Sequence, residues 1–327
     1  SAASDVYKRQ LKYLISHDSY SGDLTYLDPL ASKDGVSIYE NNRYLPIGFA
    51  AESSISEYKG ESFIQFDNQN ELFRLATGIE EDVLTRVDIK DVGHKGLNVI
   101  KSGYGNYSYQ YSAPDDGSED CYLKFNYTVP DDGPLYVTFD FGEIKNVRIK
   151  VGDSVMRTHS SGKYMDIFAA GDFNAGDVVS FQADAKDQKN GSGTIYVYQI
   201  NSDVFERGYR KLLKGALNVT KYDDTIIKGN IIAEDDCLMY TSIPYDGGWK
   251  AYVDGKETEV QSIKNAFVCV PMSAGEHTVE LRYCPPGFVV GAVISILSVA
   301  TLVLLWIFVP KVKKKRFMSG EGTAENK

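Results

Sequence analysis

Tyr245-Asp246-Gly247-Gly248-Trp249, with Tyr252 three residues on, brings two phenols, an indole and a carboxylate into one short stretch. Flat aromatic faces stack on sugar rings, and a carboxylate accepts hydrogen bonds from ring hydroxyls. Tyr245, Asp246, Trp249 and Tyr252 are therefore the candidate glycan-binding residues, in a loop that would touch a polymer or a sugar donor. The competing role is structural. If a strand starts at Trp249, period-two alternation puts Trp249, Ala251 and Val253 on one face, toward a core. Tyr245 and Asp246 are then the better exposed pair. A second aromatic set, Tyr107, Tyr109 and Tyr111, alternates with Ser108 and Gln110. It reads either as a stacking platform or as packing inside a sheet structure or between domains.

Other chemistries find little support. His17, His94, His159 and His277 are isolated, and the four cysteines form no CxxC or metal-ligand spacing. The acid clusters Asp115-Asp116, Asp131-Asp132, Asp223-Asp224 and Glu234-Asp235-Asp236 fall at expected turns, without the loop spacing that calcium ligation demands. No serine-nucleophile, phosphate-loop or dinucleotide motif occurs. The expectation is no catalytic residue, no metal and no cofactor within this chain.

Phe288 to Val309 is 22 residues without a charge, followed by Lys311, Lys313, Lys314, Lys315 and Arg316. As a helix it would be roughly 33 Å long, enough to cross a hydrocarbon core of about 30 Å. Basic flanks stay cytoplasmic, so residues 310–327 are expected inside the cell and 1–287 outside. The chain carries −10 in total; six basic against two acidic residues over 311–327 give +4, which leaves −14 for the rest. Such an acidic ectodomain argues against nucleic acid as a partner and against an anionic surface as a ligand. Ser1–Gln10 is polar and lacks an initiator Met. An exported domain of this kind is expected to be the C-terminal part of a longer membrane protein.

The elements that would position these residues are mostly strands. Tyr7, Leu11, Leu14 and Ile15 recur at helical spacing, so Asp5–Ser16 is expected to be a short helix, and Gly22 to Asp34 a loop. Val36–Glu40 alternates as a strand. A helix from Gln69 to Ala76 would be capped by Asp67 or Asn68 and ended by Gly78. Strands then follow at Leu123–Val129, Leu135–Phe141, Val147–Val151, Val178–Ala183 and Thr194–Ile200. Phe205, Tyr209, Leu212, Leu213 and Leu217 mark a connecting helix over Val204–Leu217. Beyond it, Asp254-Gly255 suits a two-residue hairpin turn. Ser273–Glu276 would turn a second hairpin, placing Cys269 opposite Glu280.

An internal repeat is visible. Asp120-Cys121-Tyr122 with Val129-Pro130-Asp131-Asp132-Gly133 matches Asp236-Cys237-Leu238 with Ile243-Pro244-Tyr245-Asp246-Gly247. Val151-Gly152-Asp153 echoes Val253-Asp254-Gly255, and Ala175-Gly176-Asp177 echoes Ala274-Gly275-Glu276. The expected fold is mainly β: tandem β-sandwich or jelly-roll-like domains, a small α+β N-terminal region and one C-terminal transmembrane helix. The expected boundaries are 1–90 for the α+β region, 91–203 and 218–287 for the sandwiches, 204–217 for the connecting helix, 288–309 for the span and 310–327 for the tail.

Ile243–Trp249, Val253-Asp254-Gly255-Lys256, Ala274-Gly275-Glu276-His277 and Tyr283-Cys284-Pro285-Pro286-Gly287-Phe288 before a final span resemble the C-terminus of the YfhO family of bacterial membrane proteins. Tyr39-Glu40-Asn41-Asn42 with Leu45-Pro46 and Gly48-Phe49 also looks like that family's extracytoplasmic region. The resemblance implies a polytopic parent similar to GT-C glycosyltransferases. Such a parent would modify a cell-envelope polymer of teichoic-acid type from a polyprenyl-phosphate sugar, with its catalytic carboxylate in helices outside this chain. The partners implied are membrane lipid and envelope polysaccharide or polyprenyl-phosphate sugar, at the bacterial cell membrane. A different class stays open, a non-catalytic membrane-anchored carbohydrate-binding or scaffolding ectodomain.

Overall fold

The computed structural model describes residues 12–17, 26–101, 108–112, 121–142, 144, 146–160, 167–185 and 190–318. A three-stranded antiparallel sheet comes first: β1 (Tyr13–His17), β2 (Leu27–Lys33) and β3 (Val36–Asn41), in the order β1-β3-β2. Two expectations change here. Tyr13–Ser16, assigned to a helix, falls in the edge strand Tyr13–His17, paired residue for residue with Val36–Glu40. Leu27–Lys33, assigned to a loop, pairs with the other edge of β3 through a bulge at Pro29. Cross-strand pairing outweighs the weak helical periodicity of so short a segment. Residues 5–11 and 22–25 of these two stretches lie outside the described residues.

β4 (Gly48–Glu52) leads through a 3-10 turn to helix α1 (Gln65–Thr77). Gly78 ends α1 in the left-handed conformation, φ 68°, as expected. The helix starts one turn earlier than Gln69, because Asn68 does not cap it. Asn68 turns back to bond the backbone of Ser62 at 2.8 Å in both directions, and Phe66 is drawn into the core.

The first sandwich follows. One sheet holds β6 (Ile89–Lys95), β9 (Tyr122–Thr128), β11 (Asn146–Val151), β12 (Ser154–Ser160) and β14 (Val178–Asp184), in the order β12-β11-β14-β9-β6. The other holds β7 (Asn98–Lys101), β8 (Ser108–Ser112), β10 (Gly133–Asp140), β13 (Phe168–Phe173) and β15 (Asn190–Ile200), in the order β13-β10-β15-β8-β7, with β5 (Leu84–Arg86) added along β15. Leu123, Phe125, Tyr127, Ile149, Phe181, Val137, Phe139 and Val197 interdigitate between them. Tyr109 and Tyr111 point into this core, Tyr109 edge-on to Phe125 at 5.3 Å between centroids. They are packing residues; Tyr107 lies outside the described residues.

Helix α2 (Ser202–Lys214), capped by the Asn201 side chain on the Val204 amide at 3.2 Å, connects to the second sandwich. Its first sheet contains β16 (Asn218–Asp223), β17 (Ile226–Ala233), β19 (Trp249–Val253), β20 (Lys256–Thr258) and β23 (Gly275–Tyr283), in the order β16-β17-β23-β19-β20. Its second contains β18 (Cys237–Pro244), β21 (Gln261–Ile263) and β22 (Phe267–Met272), and takes its last strand from far upstream: the order is β21-β22-β18-β4. The expected 218–287 sandwich is thus completed by residues 48–52.

The two sandwiches share a topology. β12-β11-β14-β9-β6 corresponds strand for strand to β20-β19-β23-β17-β16, and β13-β10-β15 to β22-β18-β4. This corrects the phase of the repeat. The two later markers agree, since each precedes corresponding strands. The first is shifted by one strand, because β9 corresponds to β17 and not to β18. The equivalent turns are those entering β10 and β18. In each, an Asp one residue before the strand accepts from the amide of the matching Ala: Asp132 from Ala175 at 2.8 Å, Asp236 from Ala274 at 3.0 Å. The Ser273–Glu276 turn is correspondingly no hairpin. β22 and β23 lie in opposite sheets, and Cys269 sits opposite Tyr240 and Gln261, not Glu280. All four cysteines are free.

α1 and α2 are packed between the sandwiches. Phe66 of α1 stacks on Tyr198 of β15 at 4.1 Å, while Phe49, Leu238 and Tyr240 of the other sandwich close the same core from the far side. Finally α3 (Phe288–Met318) leaves the second sandwich with apolar side chains exposed all round from Phe288 to Phe308, long and apolar enough to cross a membrane. Ser295, Ser298 and Thr301 each return their hydroxyl to a helix carbonyl at 2.8 Å, so no polar side chain in it stays unmatched toward lipid.

Candidate functional site

The Tyr245–Trp249 loop joins β18 to β19 at the pole of the second sandwich from which α3 departs. Its carbonyl at Gly248 accepts from the Cys284 amide at 3.0 Å, four residues before the helix. Asp246 organises the turn. One carboxylate oxygen accepts from the Gly248 amide at 2.6 Å and the other from the Tyr283 hydroxyl at 2.8 Å. The same bond holds the Tyr283 phenol above its ordinary pKa, since ionising it would set two anions side by side. The Tyr245 amide donates to Ala266 at 2.8 Å, tying in the neighbouring β21–β22 turn. Gly248 is required by close approach. A Cβ there would come within 2.8 Å of the Tyr283 ring and 2.9 Å of the Asp246 carboxylate, and would collide with the Cys284 carbonyl.

The four candidate residues do not converge. Tyr245, Asp246 and Trp249 line one open hollow of about 260 Å³, together with Lys250 and Glu257, which pair at 2.8 Å. Tyr252 is absent from it: β19 sends Tyr252 to the outward face of the sheet, where the Arg282 guanidinium lies 4.6 Å from its ring. Trp249 leans inward with Ala251 and Val253 against the core, its ring 4.9 Å from Tyr283. It remains half-buried, so one edge of the indole reaches the hollow. Tyr283 is the residue that sequence reading passed over. Its motif before the helix was visible, but its bond to a carboxylate 37 positions away was not.

The arrangement is a clasp with an aromatic rim. It holds no paired nucleophile and base, and no group of three or more metal-ligating side chains occurs among the described residues. What it offers is two half-buried aromatic surfaces, a carboxylate with spare lone pairs and a lysine, fixed next to the start of the apolar helix. Trp and Tyr are the residues that settle at lipid–water boundaries.

A family model described as bacterial membrane protein YfhO matches residues 5–295. An uncharacterized protein YfhO of Bacillus subtilis (strain 168) is 32% identical over 83 residues, which is 25% of this chain and 9% of that protein. Among solved structures, a mutant of a carbohydrate binding module family 29 is 16% identical and covers 35% of this chain and 86% of its own, at a TM-score of 0.23. The CBM32-1, CBM32-2 and M60 catalytic domains of Clostridium perfringens ZmpB are 12% identical over 60% of this chain and 36% of that one, at 0.25. Scores this low carry no argument about function.

Proposed function

We propose, from the premise that this chain belongs to the YfhO family of bacterial membrane proteins, that it is the extracytoplasmic C-terminal module and last membrane span of a larger envelope-modifying glycosyltransferase. In this reading residues 1–287 lie outside the cell and 310–327 in the cytoplasm. The sandwiches occupy 91–203 and 218–287 (the latter closed by β4), and catalysis belongs to the part of the protein beyond this chain. The donor would be a polyprenyl-phosphate sugar and the acceptor an envelope polymer. The module's task is to hold one of them over the membrane.

One observation carries the reading. The Tyr245–Trp249 loop is hydrogen-bonded to the segment that becomes α3, so its aromatic hollow is held at the level where a lipid-linked sugar would present its head. A second reading, a scaffolding ectodomain that braces the membrane part without touching sugar, draws on the structural duties of Asp246 and the inward lean of Trp249.

Trp249 separates them. The chain has two tryptophans, and Trp306→Phe leaves Trp249 as the sole indole. In lipid nanodiscs, titration with a polyprenyl-phosphate sugar should change its emission in a saturable way, and Tyr245→Ala should abolish the change while the far-ultraviolet spectrum is kept. An unaltered emission at every concentration rejects the hollow as a sugar site and favours the brace.

A further inference from the structure

Outside α3, Phe63 is the most exposed large apolar side chain among the described residues, at 74%. Single apolar side chains on a surface are ordinary where the chain beneath them can shift. The backbone under Phe63 has no such freedom. In its loop, residues 58–64, the Glu71 carboxylate accepts from the amides of Lys59 and Gly60 at 3.2 and 3.0 Å, and Gly60 sits at φ 56°. The Ser62 amide and carbonyl both bond Asn68 at 2.8 Å. The Ser62 hydroxyl donates to Asp67 at 3.0 Å and accepts from the Ile64 amide at 3.1 Å. Tyr58, Ile64 and Phe66 on either side are already committed to the core. A ring held outward in this way keeps its apolar surface in water, which is unfavourable unless something apolar receives it.

A chain of contacts leads from the membrane joint to this loop. The Cys284 amide bonds the Gly248 carbonyl, and the Tyr245 amide bonds Ala266 in the β21–β22 turn. That turn is a tight one, with Lys264 and Asn265 both at positive φ, 52° and 54°. From it the Lys264 ammonium reaches Glu61 at 4.0 Å. Phe63 therefore sits at the pole of the second sandwich from which α3 departs, but beside the opposite sheet. α3 continues from β23, whereas the turn that holds the loop belongs to the sheet β21-β22-β18-β4. The sheets of a sandwich stand about 10 Å apart. The Tyr245–Trp249 loop crosses from one to the other at this same pole.

We propose that Phe63 is a second point of membrane attachment, its ring entering the boundary of the bilayer that α3 crosses. Aromatic rings are the apolar side chains that proteins lay into this boundary. An anchor beside each sheet stops the sandwich from rocking about the α3 joint and keeps the Tyr245–Trp249 hollow turned to the lipid. The proposal rests on α3 spanning a membrane and not on the sugar reading. Its test uses the full chain with Trp249→Phe and Trp306→Phe, so that Phe63→Trp supplies the sole indole. The protein is placed in nanodiscs of zwitterionic lipid brominated near the carbonyl end of the acyl chains, where bromine quenches any indole that reaches it. Ile232→Trp in the same background is the reference. Ile232 is 54% exposed, and since Ile226 pairs with Arg282 and Ile232 with Glu276, it stands six residues along the sheet, about 20 Å farther from α3. The indole at position 63 should lose most of its emission relative to unbrominated nanodiscs, and the one at 232 almost none. Equal quenching at the two positions, or none at 63, overturns the proposal. So does a blue-shifted emission at 63 that bromine leaves intact, because protein then covers the ring. A nitroxide attached at Phe63→Cys in a Cys284→Ser chain, with both tryptophans kept, gives a second reading. Oxygen should relax it more than a water-soluble nickel chelate does, and the reverse order overturns the proposal. The Trp249 response to a sugar is measured apart from either signal, so the two proposals fail separately.

Discussion

Gly248→Ala, set against Gly247→Ala, tests whether the loop is clasped to the membrane joint as described. At 248 the added methyl meets a carboxylate oxygen at 2.9 Å, a ring carbon at 2.8 Å and the Cys284 carbonyl closer still. The ring and the carboxylate can swing aside, but the carbonyl belongs to backbone fixed by its position before Pro285-Pro286. Overpacking in a filled site costs about 1–3 kcal/mol, and a backbone collision belongs at the upper end. We expect about 2–3 kcal/mol, a factor of roughly 30 to 150 in the unfolding equilibrium. At 247 the same methyl has nothing within 4 Å, so the cost should stay within about 0.5 kcal/mol. Urea unfolding of both variants, followed by Trp249 emission in the Trp306→Phe background, measures the difference directly. Equal midpoints for the two variants would refute the clasp, because the argument depends on the neighbouring glycines being unequal.

Three further outcomes are expected. His277 Nδ1 lies 2.8 Å from the Asp254 carboxylate, which raises the histidine pKa above 6.5 and lowers that of the aspartate below 3.8. The histidine contribution is complete below pH 6.5 and fades as pH rises through the raised value, while the aspartate contribution fades as pH falls below 3.8. Stability measured from pH 5.5 to 8.5 should therefore decline, and His277→Gln should flatten that decline. Cys284 is exposed while Cys121, Cys237 and Cys269 are buried, with burial pushing Cys237 up to about 11 and Cys269 to about 12. On intact cells a membrane-impermeant maleimide should label Cys284 alone, and labelling only after lysis reverses the proposed orientation. Lastly, a fragment beginning at 218 lacks β4 and leaves β18 as an unpaired apolar edge. It should aggregate, and a peptide spanning 45–55 supplied in trans should restore a β-sheet spectrum; a soluble, folded fragment without the peptide would contradict the strand pairing.

How much of this was legible depended on range. The strands at 123–129, 147–151 and 178–183 announced themselves because Leu123, Phe125, Tyr127, Val147, Ile149, Val179 and Phe181 alternate with polar residues in a half-buried sheet. β13 passed unnoticed because Phe168-Ala169-Ala170-Gly171-Asp172-Phe173 has little strand propensity and owes its conformation to pairing with β10. The repeat was visible but out of phase, since turns reuse Asp, Gly and Pro and match well one strand off. At the site, alternation correctly set Trp249 toward the core and Tyr252 on the opposite face, yet it could not reveal that Tyr283 grips Asp246. Nor does period two distinguish a solvated polar face from a wired one. That Asn126 bonds Asp91 and Ser180, while Gln182 bonds Lys150 and Asp184, follows from strand order, which no local pattern records.

The loan of β4 to the second sandwich has a temporal side. Residues 48–52 are made and delivered before the whole first sandwich, yet their partner β18 arrives nearly two hundred positions later. The early strand must wait with its edge unmet while an entire domain condenses inside the loop it will close. Once joined, residues 48–52 and the strands at 237–244 and 267–272 are zipped into a single sheet. The five residue pairs between β4 and β18 then close a loop that holds the whole intervening domain, which is carried as a sealed parcel.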